Sequence, residues 1–309
     1  MNITTLLNAM PGACAQGLIW GIMAIGVYIT YKILDLADLT VDGTMCTGGA
    51  VCIMMMLNGQ SVGVSLLCAF LAGMLAGLVT GIFHTAMGIP AILAGILTQL
   101  GLYSVNLRIM MGKSNQALSV DKYNLLVSLR YVKGVPFYQN SIFVVMIFIL
   151  VIIAALYWFF GTELGCSIRA TGSNQNMSRA QGINTNTRKI IGLMLSNGIV
   201  ALASGLYAQY QGFADVNMGR GAIVIGLAAV IIGQVVFGKI RGNFAFKLFA
   251  VALGAIIYYL VIQVVLWMGL NSNDLKLLSA LVVAIFLAIP YMKGKYFAKG
   301  IRKGGSANA

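Results

Sequence analysis

The sequence predicts an all-α, polytopic helical membrane protein that forms a single transmembrane domain over residues 1–309. Hydrophobic residues make up 60% of the chain and charged residues 9%, whereas about 25% of residues are charged in soluble domains. The apolar runs are continuous and reach the length of about 20 residues that a membrane-spanning helix needs, which is about twice the length of a barrel strand. Composition and run length therefore both favour helices that cross a bilayer.

Each long apolar run is interpreted as one spanning helix, which gives about nine helices. The N-terminal segment lacks the basic residues of a cleavable signal, so we expect its apolar run to be retained as the first helix. The predicted helices cover residues 9–31, 43–57, 62–84, 90–111, 141–160, 190–210, 221–237, 244–268 and 275–291.

Residues 161–189 form a polar stretch between two apolar runs, and it carries Arg169, Arg179, Arg188 and Lys189. Basic loops between spans remain in the cytoplasm. This assignment places the N-terminus and residues 112–140 outside, and the basic tail at residues 292–309 inside. The outer segment is predicted to be either an amphipathic surface helix or a plain connector.

The formal charge of +13 lies mainly at helix ends and in the tail, so the expected partner is the lipid bilayer and not nucleic acid. Five cysteines without CxxC spacing and the single histidine, His84, predict no disulfide framework and no metal site. The sequence contains no P-loop, Ser/His/Asp arrangement or dinucleotide fingerprint. We therefore expect neither an enzyme nor a cofactor in this chain.

Glycines recur four residues apart inside several predicted helices, as at Gly17 and Gly21 and at Gly73, Gly77 and Gly81. Such spacing allows helices to approach closely in lipid. We expect a tightly packed bundle.

Acidic residues cluster at the break after the first helix, in the run LDLADLTVDGTM. A weaker echo, FADVNMGRG, precedes the seventh helix, and five helices separate the two. An odd separation is typical of inverted repeats, so the two segments are expected to face opposite sides; a chance similarity is the alternative. We expect a translocation path or gate here, although Thr40 and Asp42 could simply cap the second helix. The candidate residues are Asp38, Thr40, Asp42, Gly43, Asp215 and Asn217.

The loop run GCSIRATGSNQNMSRAQGINTNTRK resembles the cytoplasmic coupling loop of permeases in the branched-chain amino acid and ribose importer superfamily of ABC transporters. Ser173 or Asn174 can cap a short helix that ends at Gly182. The upstream run LADLTVDG is similar to the branch associated with amino acid uptake, including aromatic amino acids. The residues implied in ATPase coupling are Arg169, Gly172, Asn174, Met177, Arg179, Ala180 and Gly182.

The resemblance implies the permease subunit of an ABC importer in the plasma membrane, which moves a small solute, an amino acid, inward. It implies a second copy of the chain, two cytoplasmic subunits that bind the ATP, and an extracellular substrate-binding protein. The alternative from the residues alone is an ion-coupled secondary transporter that titrates Asp38, Asp42 or Asp215.

Overall fold

The computed structural model describes residues 3–120, 122–123, 125–132, 136, 139–237, 243–269, 277, 279–286 and 288. The described residues form a helical bundle with one small two-stranded sheet, which confirms the all-α membrane class. The helices are α1 (Ile3–Tyr28, continued by a π-helical turn at Ile29–Ile33), α2 (Thr40–Leu57), α3 (Val62–Thr85), α4 (Ala91–Ile109), α5 (Ser141–Gly161), α6 (Glu163–Ser173), α7 (Gln175–Ala180), α8 (Thr185–Gln211), α9 (Ala222–Phe237) and α10 (Phe244–Trp267).

Seven of these helices are long and apolar enough to cross a membrane, and α9 is a shorter apolar helix. Together they match the first eight predicted helices. Residues 279–286 are helical and coincide with part of the ninth, but the rest of that helix and the basic tail lie mostly or wholly outside the described residues. The count of nine stays a prediction.

Two antiparallel helix pairs form the centre of the bundle, and both depend on small residues. In the first pair α1 packs on α10, where a Cβ atom on Gly21 would lie 3.1 Å from the Ala252 Cα. In the second pair α3 packs on α8, where a side chain on Gly77 would overlap the Leu193 carbonyl. The predicted close approach at small residues is confirmed, because no other residue type fits these contacts without movement.

Helix α2 begins inside the bundle and not at its surface. Its Thr44 contacts Asn197 of α8, and its Cys52 lies beside Gln209 further along α8, so the two helices run in parallel. Asn197 lies about 18 Å along α8 from Thr185, at 1.5 Å per residue. The start of α2 is therefore deep in the membrane.

Helix α9 mirrors this arrangement. The irregular residues before it run back along α2, where the Cys46 Sγ donates to the Val216 carbonyl at 3.0 Å. Helix α9 then runs beside α1, with Gly226 against Met23 and Val27. Because α1 and α8 are antiparallel, α2 and α9 extend in opposite directions from a shared depth. This is the geometry that an inverted repeat predicts.

The outer segment contains no α-helix among its described residues, so for that part the connector is the alternative that holds and not the amphipathic helix. Strand β1 (Asn115–Ala117) instead pairs antiparallel with β2 (Phe213–Asp215). Leu118, Leu125 and Val127 are buried. Their apolar side chains anchor the segment on the end of the bundle, and backbone pairing with β2 removes the need for a helix.

Candidate functional site

The break between α1 and α2 threads through a narrow gap. Asp35 adopts a left-handed backbone conformation with φ of 55°, which turns the chain away from the direction of α1. Leu34 then packs on Gly192 of α8, and Leu39 passes Gly95 of α4, where a Cβ atom would lie 2.8 Å from the Leu39 nitrogen. Glycines on both neighbouring helices make room for this non-helical backbone.

Asp38 lies in the gap and is 3% exposed. One carboxylate oxygen accepts from the Thr40 backbone N–H at 2.9 Å, and the other accepts from the Asn197 Nδ2 at 2.7 Å. The Asn197 Oδ1 in turn accepts from the Thr44 hydroxyl at 2.7 Å. A buried carboxylate requires such partners. Among the described residues Lys32 forms no ion pair with Asp38, so the partners are neutral donors.

A chain of hydroxyl groups continues from Thr40 towards α4. The Thr40 Oγ1 lies 2.7 Å from the Thr80 Oγ1, and the Thr80 hydroxyl donates to the Thr98 Oγ1 at 2.9 Å. All three residues are buried. The polar groups therefore form one connected seam across α8, α2, α3 and α4 inside an otherwise apolar bundle.

Asp42 caps α9 and not α2. Its carboxylate accepts from the backbone N–H groups of Gly221 at 3.0 Å and Ile223 at 2.9 Å. Thr40 and Asp42 were expected to precede the second helix, but α2 begins at Thr40 and includes Asp42 and Gly43 in its first turn. The cap thus joins the two helices that start inside the membrane and satisfies amides that have no partner within α9. Gly43 allows α4 to approach, since a Cβ atom there would lie 3.0 Å from the Gln99 Cα.

Asp215 and Asn217 form the same turn as Asp38 and Thr40. The Asp215 Oδ1 accepts from the Asn217 N–H at 2.6 Å, which matches the 2.9 Å contact between Asp38 and Thr40. The two similar sequence segments therefore form the same local structure. The two segments enter the bundle from opposite ends, because they follow α1 and α8, which are antiparallel. The Asp42 cap joins their inner ends, and their facing opposite sides of the membrane stays a prediction.

The polar stretch at residues 161–189 is largely helical. Thr162 caps α6 by accepting from the Gly165 N–H at 3.3 Å, and Asn174 caps α7 by accepting from the Met177 N–H at 3.0 Å. The expected short helix is thus present, but it covers Gln175–Ala180 and not residues 173–182. Ser173 instead ends α6, so Asn174 is the cap.

Helix α7 presents an exposed surface. Met177 is 63% exposed, and Arg179 and Ala180 are also exposed. The Arg179 Nε donates to the Thr185 Oγ1 at 2.9 Å, which ties α7 to the start of α8. Gly182 completes the turn between them with φ of 79°, a conformation that glycine adopts without strain.

Helix α6 connects this surface to the break. The Arg169 guanidinium lies over the Phe244 ring of α10, 5.7 Å from its centroid. Gly172 lies so close to the end of α1 that a side chain would overlap the Ile33 carbonyl. One of the predicted coupling residues, Gly172, therefore contacts the backbone that leads to Asp38.

Residues 10–290 match the family model described as branched-chain amino acid transport system / permease component. The chain belongs to this permease family. The permease is 42% identical over 282 residues to a tyrosine transport system permease protein of Clostridioides difficile (strain R20291), with 91% of each chain covered. It is 34% identical over 291 residues to the uncharacterized protein RP368 of Rickettsia prowazekii (strain Madrid E), covering 91% of this chain and 98% of that one. The autoinducer 2 import system permease protein LsrC of Yersinia pestis (strain Pestoides F) is 32% identical over 206 residues, or 63% of this chain and 56% of that one.

The relatives from Clostridioides difficile and Yersinia pestis are named as permease proteins of a transport and an import system. They support the ABC importer prediction over the ion-coupled alternative. No sequence pattern identified Asn197 as the partner of Asp38 in this permease. Only their approach in the fold, across 159 positions of sequence, shows it.

Proposed function

We propose that this permease imports an aromatic amino acid across the plasma membrane. It works as a pair of identical copies with two cytoplasmic ATP-binding subunits, which bind and hydrolyse the ATP, and an extracellular substrate-binding protein. In this proposal the N-terminus lies outside and the C-terminus in the cytoplasm. The name of the Clostridioides difficile relative, with which the permease shares 42% identity, supports tyrosine as the test substrate.

The contact between Gly172 and the Ile33 carbonyl carries the proposal. Helices α6 and α7 form one capped unit whose outer surface, at Met177 and Arg179, is available to an ATP-binding subunit. Its inner end rests on the backbone that leads into the break. A tilt of this unit as the ATP-binding subunits close would therefore move the break directly, without requiring the bundle core to deform.

The break is the proposed gate of the translocation path. Its residues are Asp38, Thr40, Asp42 and Gly43. The matching turn at Asp215 and Asn217 forms the part of the gate on the outer side. Polar groups inside a membrane bundle are costly to bury, so they normally face a pathway or one another. If the break acts as a gate, Asp38→Asn lowers transport while assembly with the ATP-binding subunits persists; normal transport in this variant would contradict the gate.

The outward face of α4 supports a second copy. Leu100 and Tyr103 on this face are 65% and 45% exposed, and both line a cavity between α4 and the start of α2. A path between two copies would bury this face and keep the cavity beside the substrate.

Reconstitution in liposomes tests the proposal as a whole. The permease, its ATP-binding subunit and its binding protein are expected to accumulate L-tyrosine only when ATP is enclosed on the cytoplasmic side. Uptake by the permease alone, driven by an ion gradient without ATP, would contradict it. A matched vesicle that lacks the binding protein is the control.

A further inference from the structure

A cavity of about 300 Å³ lies between the start of α2, helix α4 and the segment that precedes α9. This volume falls at the lower end of small-molecule sites, which span about 300–1,000 Å³. The lining residues that matter here are Asp42, Gln99, Tyr103, Asn106, Val216 and Arg220.

Asn106 is the most informative of these residues. It is 1% exposed, and neither its Nδ2 nor its Oδ1 has a hydrogen-bond partner in the part of the chain that the structure describes. Buried amide groups almost always have partners, and an unpaired one is unfavourable. This amide lines the cavity, so one donor and one acceptor are available to an occupant.

Two side chains of opposite charge, Asp42 and Arg220, also line the cavity. The Arg220 side chain is exposed and makes no hydrogen bond or ion pair to any described residue. The adjacent residue, Gly221, donates its N–H to the Asp42 carboxylate at 3.0 Å, so the Arg220 backbone lies near Asp42, and both side chains line the cavity. After its two backbone bonds the Asp42 carboxylate still has acceptor capacity. A guanidinium recognises a carboxylate in a bidentate manner, and a carboxylate accepts from an ammonium group.

The spacing along α4 sets the length of the occupant. Gln99 packs on Gly43, next to Asp42, and Asn106 follows two helical turns later on the same face, about 10 Å away. That distance suits one amino acid whose aromatic side chain is extended. Tyr103 and Val216 form the walls between the two polar ends.

We propose that this cavity binds the zwitterion of a tyrosine-like L-amino acid. Arg220 holds the α-carboxylate, Asp42 accepts from the α-ammonium group, and Asn106 binds the phenol hydroxyl, which is both donor and acceptor. The inference rests on the proposed function and deepens it, because it assigns a substrate-binding site on the translocation path inside the membrane.

Thermal unfolding of the purified full-length permease tests the site directly, since a ligand that binds the folded state raises the melting temperature. L-Tyrosine is expected to raise it by a few degrees, and L-phenylalanine and tyramine by less. In Asn106→Leu the melting-temperature shifts with tyrosine and phenylalanine become equal, because the amide that forms a hydrogen bond with the phenol hydroxyl is gone. In Arg220→Gln the shifts with tyrosine and tyramine become equal.

Arg108→Gln is the matched control, since Arg108 is an exposed residue of α4 that does not line the cavity, and it should retain every shift. Without ligand, Asn106→Leu should melt at or above the wild-type temperature, because it removes an unpaired amide. The absence of any amino acid shift in the wild-type protein, or unaltered selectivity in both variants, would overturn the site.

Uptake in the reconstituted system separates this inference from the proposed function. Asn106→Leu and Arg220→Gln are each expected to lower L-tyrosine uptake about tenfold, the equivalent of one lost hydrogen bond to a charged or buried group. If the wild-type system imports tyrosine and both variants do so equally well, the site is wrong and the function stands. If the wild-type system imports no tyrosine but the selective shifts occur, the function is wrong and the site stands.

Discussion

Replacing Asn197 with leucine tests whether the buried seam holds α2 on α8. The side chain is fully buried, donates to the Asp38 carboxylate at 2.7 Å and accepts from the Thr44 hydroxyl at 2.7 Å. Leucine has the same branched shape and number of side-chain heavy atoms but no polar atom. The substitution therefore removes both hydrogen bonds and leaves no cavity of note.

The expected loss of unfolding free energy is about 3–5 kcal/mol. A hydrogen bond to a charged group contributes about 1.5–3 kcal/mol, and an uncompensated buried charge raises the total to about 3–5 kcal/mol. The adjacent Ser196 gives a matched comparison, because its hydroxyl donates to the Gly26 carbonyl at 2.7 Å and is also fully buried. Neutral bonds between membrane helices average about 0.6 kcal/mol, so Ser196→Ala should lose about that amount.

Unfolding in mixed detergent micelles, monitored by far-UV circular dichroism, measures both variants. Adding Asp38→Asn to Asn197→Leu should cost less than the sum of the two single changes, because the charge that lost its partner is also removed. Equal losses for Asn197→Leu and Ser196→Ala, near 1 kcal/mol or below, would refute the reasoning and show that Asp38 does not carry a charge supported by Asn197.

Three further predictions concern coupling, packing and orientation. Met177→Glu should lower uptake and substrate-stimulated ATP hydrolysis. It should change the free energy of unfolding by less than about 0.5 kcal/mol, since this side chain is 63% exposed. Unchanged uptake and ATP hydrolysis would exclude α7 as the helix that docks on the ATP-binding subunit. Gly48→Ala should lower the free energy of unfolding by about 1–3 kcal/mol, because its Cβ would overlap the α8 backbone. The control Gly63→Ala should be neutral, since a Cβ there meets no atom within 4 Å; equal losses in the two variants would contradict the packing. A membrane-impermeant thiol reagent should label Ser119→Cys from outside, and Gln181→Cys only after the membrane is opened, because both positions are exposed; the reverse would invert the topology.

The sequence by itself determined the class of the protein and the positions of most helices. Continuous apolar runs of about 20 residues leave a chain no other stable arrangement in lipid. Local signals also worked where the chemistry is local: Asn174 caps the short cytoplasmic helix, and Gly182 forms the left-handed turn after it. Such features depend on neighbours within a few residues.

The tertiary structure alone decided which polar groups meet. Capping of its own helix was one alternative for Asp42, yet it binds Gly221 and Ile223, which lie 179 and 181 positions away. Nothing local distinguishes the two outcomes, because a carboxylate binds any free amide that packing brings within reach. The same holds for Asn106, whose side chain has no partner among the described residues. Its significance appears only when α2, α4 and the residues before α9 enclose one cavity.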